Sequence, residues 1–303
     1  MRGSRLAARR WTGRYGSSVK VSRRGATAVP AAWPRAGTSP EEKRFRGQCK
    51  LGAVAQAYDR YRPAPPQVAV DWLLPKRVTS GVDLAAGTGA LSRCLLARAD
   101  QVIAVEPDER LAAVLARRLP TVRLLVGRAE SLPLSDASVD AVLVSSAWHW
   151  LDVEAAVAEI ARVLHPGGLL GTLWTSLDRQ TARGAVLWES ARGLMPHRSD
   201  RRQGHRPEDI CLPDGAPFAQ PEITRLQASW RVRPGRLAEV IGTYSSVITL
   251  PAPERERLLA QVRDSVAANP AFVGRARVTV PFSCRCCGDT GRAGAHRAAG
   301  RAR

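Results

Sequence analysis

The residues best suited to holding a ligand in this 303-residue chain are the small and acidic run Asp83-Leu84-Ala85-Ala86-Gly87-Thr88-Gly89. Glycine lets a backbone turn through positive φ and come close to a bound molecule. A second acid, Glu106, follows Gly87 by 19 positions, where a carboxylate can accept both hydroxyls of a ribose. Farther along, Ala147-Trp148-His149-Trp150 sets an imidazole between two indoles. His149 is the best candidate for a general base, although a histidine flanked by tryptophans also serves as a packing group. Ahead of the glycines, Tyr58-Asp59-Arg60-Tyr61-Arg62-Pro63 offers phenols and a guanidinium that could close over a ligand or anchor a lid helix. Cys284, Cys286 and Cys287 with His296 form a single group, whereas a structural zinc site draws on two separated pairs. No metal is expected.

These groups need elements to position them. Val54, Ala57, Tyr58 and Tyr61 fall at helical spacing, and Arg62-Pro63-Ala64-Pro65-Pro66 ends that helix. A second short helix covers Val68 to Leu74. A repeating strand–helix order follows, with strands at Gly81–Ala86, Gln101–Val105, Val122–Val126, Val139–Ser145 and Leu169–Thr175. The helix from Asp152 carries the stripe Val153, Val157, Ile160, Ala161 and Leu164, with His165 as its C-cap before Pro166-Gly167-Gly168. Strands alternating with helices argue an α/β, doubly wound parallel sheet covered on both faces. After Ser176 come a helix near Val186–Leu194, a basic loop at His197–Asp209, a strand at Ile223–Val232, helices near 236–242 and 253–267, and a last strand at Arg277–Phe282. The two late strands are expected to form an antiparallel edge.

The glycine turn at the end of a central strand suits a nucleotide-like ligand. A pyrophosphate wants a third glycine and a bare helix N-terminus, but the third position here is Ser92 and Asp83 precedes the glycines. That acid repels a pyrophosphate and attracts the amino group and sulfonium of S-adenosylmethionine. A tight turn without a ligand remains the plain alternative.

Asp83 to Leu91, with Val105-Glu106-Pro107, Gly127 to Pro133, Val139 to Val142 and Leu164 to Gly168, resembles the class I S-adenosylmethionine-dependent methyltransferases of the type 11 group. The resemblance covers residues 51–282; the Tyr58 and Trp148 segments bring it close to the bacterial small-molecule branch similar to trans-aconitate methyltransferases. It implies a Rossmann-like sheet of about seven strands, the last one antiparallel, in a domain over 45–282 with a helical substrate lid at 177–250. By resemblance, Asp83 meets the cofactor's amino end, directly or through water, while Ala85, Gly87 and Gly89 line its methionine and ribose. Glu106 holds the ribose, Pro107 flanks the adenine, and Ala129 meets the adenine edge. Glu130 stands in for an acid the family often has where this chain has Arg128, and Ser145 completes the cofactor set. His149 and Tyr58 are the catalytic candidates, and Arg62 and Trp148 the substrate-binding ones. Two departures stand out. Ala85 replaces the first glycine of the motif, so its methyl crowds the cofactor. The text after Phe282 turns to Ser-Cys-Arg-Cys-Cys, which suggests a shifted reading frame and a shortened edge strand.

The net charge of +19 is concentrated at the ends: residues 1–50 carry +11, residues 275–303 carry +6, and residues 51–274 only +2. Residues 1–44 and 283–303 are therefore expected to be disordered basic extensions. The first of these is compatible with a transit peptide or an upstream start. A nearly neutral body argues against specific nucleic-acid binding, although the tails could hold polyanions. No run of about 18 apolar residues is present, so no membrane partner is expected. The unpaired cysteine spacing suits the cytoplasm. The expected activity is cofactor-dependent methyl transfer to a small-molecule substrate. Its rivals are a catalytically silent protein of the same fold and a tail-driven nucleic-acid binder.

Overall fold

Val78–Leu84 (β1), Ala99–Val105 (β2) and Val139–Ser145 (β4) each bury at least four consecutive residues, as strands covered on both faces require. In the computed structural model they lie side by side in a parallel sheet, Leu84 opposite Val105 and Val144. The structure describes residues 51–52, 54–182, 184–185, 189, 212 and 215–288. Arg123–Leu125 (β3), Leu164–Leu177 (β5), Glu222–Val232 (β6) and Val278–Gly288 (β7) complete seven strands in the order β3-β2-β1-β4-β5-β7-β6. β7 runs antiparallel to both β5 and β6.

Ala55–Tyr61 (α1) ends at Arg62, where the following prolines forbid another helical turn. Gln67–Leu73 (α2), Ala90–Leu95 (α3) and Glu109–Arg118 (α4) send Val70, Leu73, Leu91, Leu95 and Leu115 into a core on one face of the sheet. Val153–Val163 (α5) covers the other face with Ala156, Val157, Ile160 and Val163. Asp108 and Asp152 cap α4 and α5 by accepting from the amides of Arg110 and Ala155. Beyond the sheet edge, Leu237–Ile241 (α6), Ser245–Ile248 (α7) and Ala252–Ala268 (α8) follow β6, and Leu237, Ile241, Leu258 and Val262 build a third core against Val280 and Phe282.

Two expectations need correction. α5 stops at Val163, and His165 is an exposed residue in an irregular start to β5 rather than a cap: Val139 pairs with Leu164 but Ala141 with Leu169. The last strand does not stop at Phe282. Ser283 to Gly288 continue β7 between β5 and β6, with Cys284 and Cys286 fully buried and Cys287 nearly so. Cysteine behaves here as a small apolar filler, a property hidden by its neighbours Ser283 and Arg285. Within 177–250 the strand expected at 223–232 and the helix expected near 236–242 are present as β6 and α6. The expected helix at 186–194, the loop at 197–209, and residues 1–44 and 289–303 lie outside the described residues.

Candidate active site

The turn after β1 is built on three left-handed residues: Ala85 at φ 56°, Gly87 at 58° and Gly89 at 85°. A side chain at Gly87 would meet nothing within 4 Å, whereas a Cβ on Gly89 would lie 2.8 Å from Leu115 Cγ. The two glycines therefore do different work. Gly87 keeps space open at the rim, and Gly89 lets α3 pack against α4.

Glu106 closes the rim from β2. Its Oε2 accepts from the Gly87 amide at 2.8 Å and its Oε1 from the Asp108 amide at 3.0 Å. Only 4% of the residue is exposed, and burial pushes its pKa up to about 7 against the pull of those amides. Asp83, 1% exposed, sits behind the turn. Its Oδ2 accepts from the Ser92 amide (2.7 Å) and hydroxyl (2.6 Å), which ties α3 to β1. Burial raises Asp83 to about 7 as well, opposed by the bonds from Ser92, with repulsion from Glu106 adding to the rise. The sequence placed Asp83 at a ligand's amino end, but its Oδ2 is committed to Ser92. Glu130 is likewise engaged: it accepts from the Asp152 amide at 3.0 Å and pairs with Arg128 at 3.4 Å, so it fixes the start of α5.

Ala129 is buried beside Val105 and Leu132, and Pro107 is half-buried after Glu106. Ser145 ends β4 opposite Leu173, half-buried. A short 3-10 helix then carries Trp148 to Trp150. Trp148 is 5% exposed, and its indole Nε1 has no hydrogen-bond partner among the described residues. The His149 ring lies 4.5 Å from Trp150 and 4.9 Å from Trp174 of β5, so the histidine is packed into an aromatic wall across two strand ends. On the other side of the turn, Arg62 stacks between Tyr58 (5.8 Å) and Tyr244 (4.6 Å). Arg236 donates to the Tyr61 hydroxyl and Arg118 pairs with Asp59, which clasps α1 to α6 and α4. Tyr58, Arg62, Thr88, Gly89 and Arg93 border a cavity of 230 Å³ next to the glycine turn.

Tyr244 and Arg236 escaped the sequence reading. They lie more than 170 positions from α1, and no local pattern announces a contact at that separation.

The match to the methyltransferase-domain family spans residues 82–172, from β1 to β5. An uncharacterized methyltransferase of Mycobacterium tuberculosis is 38% identical over 238 residues, covering 78% of this chain and 93% of that protein. The chain belongs to the class I S-adenosylmethionine-dependent methyltransferases of the type 11 group. Another relative, an uncharacterized methyltransferase of Schizosaccharomyces pombe, is 27% identical over 221 residues, 70% of this chain and 85% of its own. A solved Anaeromyxobacter dehalogenans structure, named as a candidate type II methyltransferase, superposes with a TM-score of 0.58 at 25% identity, covering 75% of this chain and 96% of that one.

S-adenosylmethionine is the cofactor of this methyltransferase, and the residues present fit it. Gly87 leaves room at the rim, and the buried Glu106 offers a carboxylate there. Ala85 is the one misfit, a methyl-bearing residue held at positive φ where glycine is at ease. Among the described residues no metal-ligand cluster occurs, and no helix is long and apolar enough to cross a membrane.

Proposed function

We propose that this methyltransferase acts on a small-molecule acceptor bound between the aromatic wall of Trp148, His149 and Trp174 and the α1 clasp of Tyr58 and Arg62. The observation that carries this reading is Arg62. It is half-buried between two tyrosine rings beside the glycine turn, with no carboxylate partner among the described residues. A stacked guanidinium left unpaired at the mouth of a site is suited to an acidic group on a ligand.

When bound, S-adenosylmethionine supplies a methyl group on a sulfonium, a good leaving group, so alignment supplies most of the catalysis. Glu106 would hold the ribose hydroxyls, keeping or exchanging its Gly87 bond, with Gly87, Gly89 and Ala85 along the turn. Pro107, Ala129 and Ser145 would border the cofactor, and Glu130 would act from behind by holding the rim loop. Asp83 would hold α3 in register through Ser92. His149 would accept the acceptor's proton if that group is protonated, with Trp150 and Trp174 fixing its ring. Tyr58 would close the site from α1, and Trp148 would back the acceptor's side of the wall. The buried thiols of Cys94, Cys284 and Cys286, none in a disulfide, suit a reducing compartment, and we assign the enzyme to the cytoplasm.

Ala85 favours a second reading, a silent protein that keeps the fold, because it puts a methyl-bearing residue at positive φ in the glycine turn. Calorimetric titration of S-adenosylhomocysteine separates the two. The active reading expects micromolar binding, about 8 kcal/mol, lost in Glu106→Ala and strengthened in Ala85→Gly. A folded protein that binds nothing, with Gly or Ala at 85, leaves the silent reading standing. Transfer of labelled methyl to acidic small molecules, weakened by Arg62→Ala through KM, then tests the acceptor class.

A further inference from the structure

A second cavity, of 570 Å³, lies among the C-terminal helices, and none of the residues of the glycine turn lines it. Its floor is apolar. Ala238 of α6, Val266 of α8 and Phe272 are buried and belong to the core beneath β6 and β7. Val273, on the loop leading to β7, stands at the mouth and is 56% exposed. The charged side chains of the lining are Arg233, Arg263 and Arg275, from the end of β6, from α8 and from the loop before β7. Arg263 stands 4.0 Å from Glu239, and Arg233 and Arg275 have no ion pair among the described residues.

Arg233 and Arg275 are exposed cations over an apolar floor, beside Arg263, which Glu239 partly balances, and an anion seated there would gain pairing with both. A bare anion would leave the floor wet, while an alkyl chain would cover it. The volume falls within the roughly 300–1,000 Å³ of small-molecule sites. We propose that this cavity binds an anionic amphiphile, its alkyl chain lying on Ala238, Val266 and Phe272 and its carboxylate or phosphate head held by the arginines. The site is separate from the methyl-transfer site and does not depend on the acceptor assigned there.

The test is calorimetric titration of the full chain with dodecanoate, dodecyl phosphate, dodecanol and inorganic phosphate, each below any micelle concentration. Saturable one-to-one binding of at least one dodecyl anion is expected, with dodecanol and inorganic phosphate far weaker; the tighter head group identifies the natural source. The double variant Arg233→Ala, Arg275→Ala should weaken binding at least about fivefold. Ala267→Trp, on the exposed side of α8 at the cavity, should abolish it while S-adenosylhomocysteine still binds. If Ala267→Trp fails to fold, the arginine variant carries the test. Dodecanol binding as tightly as the anions, inorganic phosphate matching dodecyl phosphate, insensitivity to both variants, or displacement by S-adenosylhomocysteine would each overturn the proposal.

Discussion

Burying Asp83 and Glu106 side by side should leave a signature in how stability varies with pH. Asp83 rises from an ordinary 3.8 to about 7 and Glu106 from 4.5 to about 7, both because burial disfavours the charged form. At 1.36 kcal/mol per pH unit these correspond to about 4 and about 3 kcal/mol. Because Asp83 is raised partly by Glu106, their sum is a ceiling of about 7 kcal/mol. The native state holds the extra protons, so this stability is complete below about pH 4 and lost as pH rises to about 7. Carboxylates that arginines hold low act in the other window: Asp71, bonded to Arg98, and Glu159, bonded to Arg162, lose their contribution only as pH falls below their ordinary 3.8 and 4.5. Urea unfolding followed by circular dichroism at half-unit pH steps reads the difference. Asp83→Asn keeps an acceptor for Ser92 and removes the titration, so the fall across the window should shrink to about 3 kcal/mol. A wild-type stability that is flat or rises from about pH 4.5 to 7 would refute the buried-pair argument, as would an unchanged slope in Asp83→Asn.

Other perturbations separate folding from binding. Gly89→Ala combines a strained φ with a Cβ 2.8 Å from Leu115 and should cost about 2–4 kcal/mol in urea unfolding. Gly87→Ala meets open space, so it should cost only about 1–2 kcal/mol yet weaken S-adenosylhomocysteine binding by more than that strain explains. Cutting the chain after Phe282 removes the part of β7 that pairs with both β5 and β6, a loss expected to exceed about 5 kcal/mol and abolish cooperative unfolding; urea unfolding of the cut and full chains checks it. Binding of S-adenosylhomocysteine should tighten as pH rises through about 7, where Glu106 ionises, and this dependence should vanish in Glu106→Gln.

Much of this protein is written locally. Aliphatic runs without polar alternation announce strands that a sheet must bury on both faces, and Asp108 and Asp152 announce helix starts by chemistry confined to one turn. The glycine turn and Glu106 are legible for the same reason: a turn through positive φ and a carboxylate at a strand end are marked by residue type alone. Local text could not say which partner each carboxylate would choose. Asp83 faces Ser92, Glu106 spans two strand ends and Glu130 reaches Asp152, because strand register and helix docking bring those amides within reach. The same holds for Tyr244 against Arg62, and for a cysteine-bearing segment that resembles a tail. Cys284 and Cys286 become core only because β5 and β6 lie on either side of them. Sequence by itself determined the order of the strands and which residue types stand at the rim, both set by interactions a few residues long. Tertiary structure decided which groups remain free to meet a ligand, since that depends on contacts closed across the whole chain.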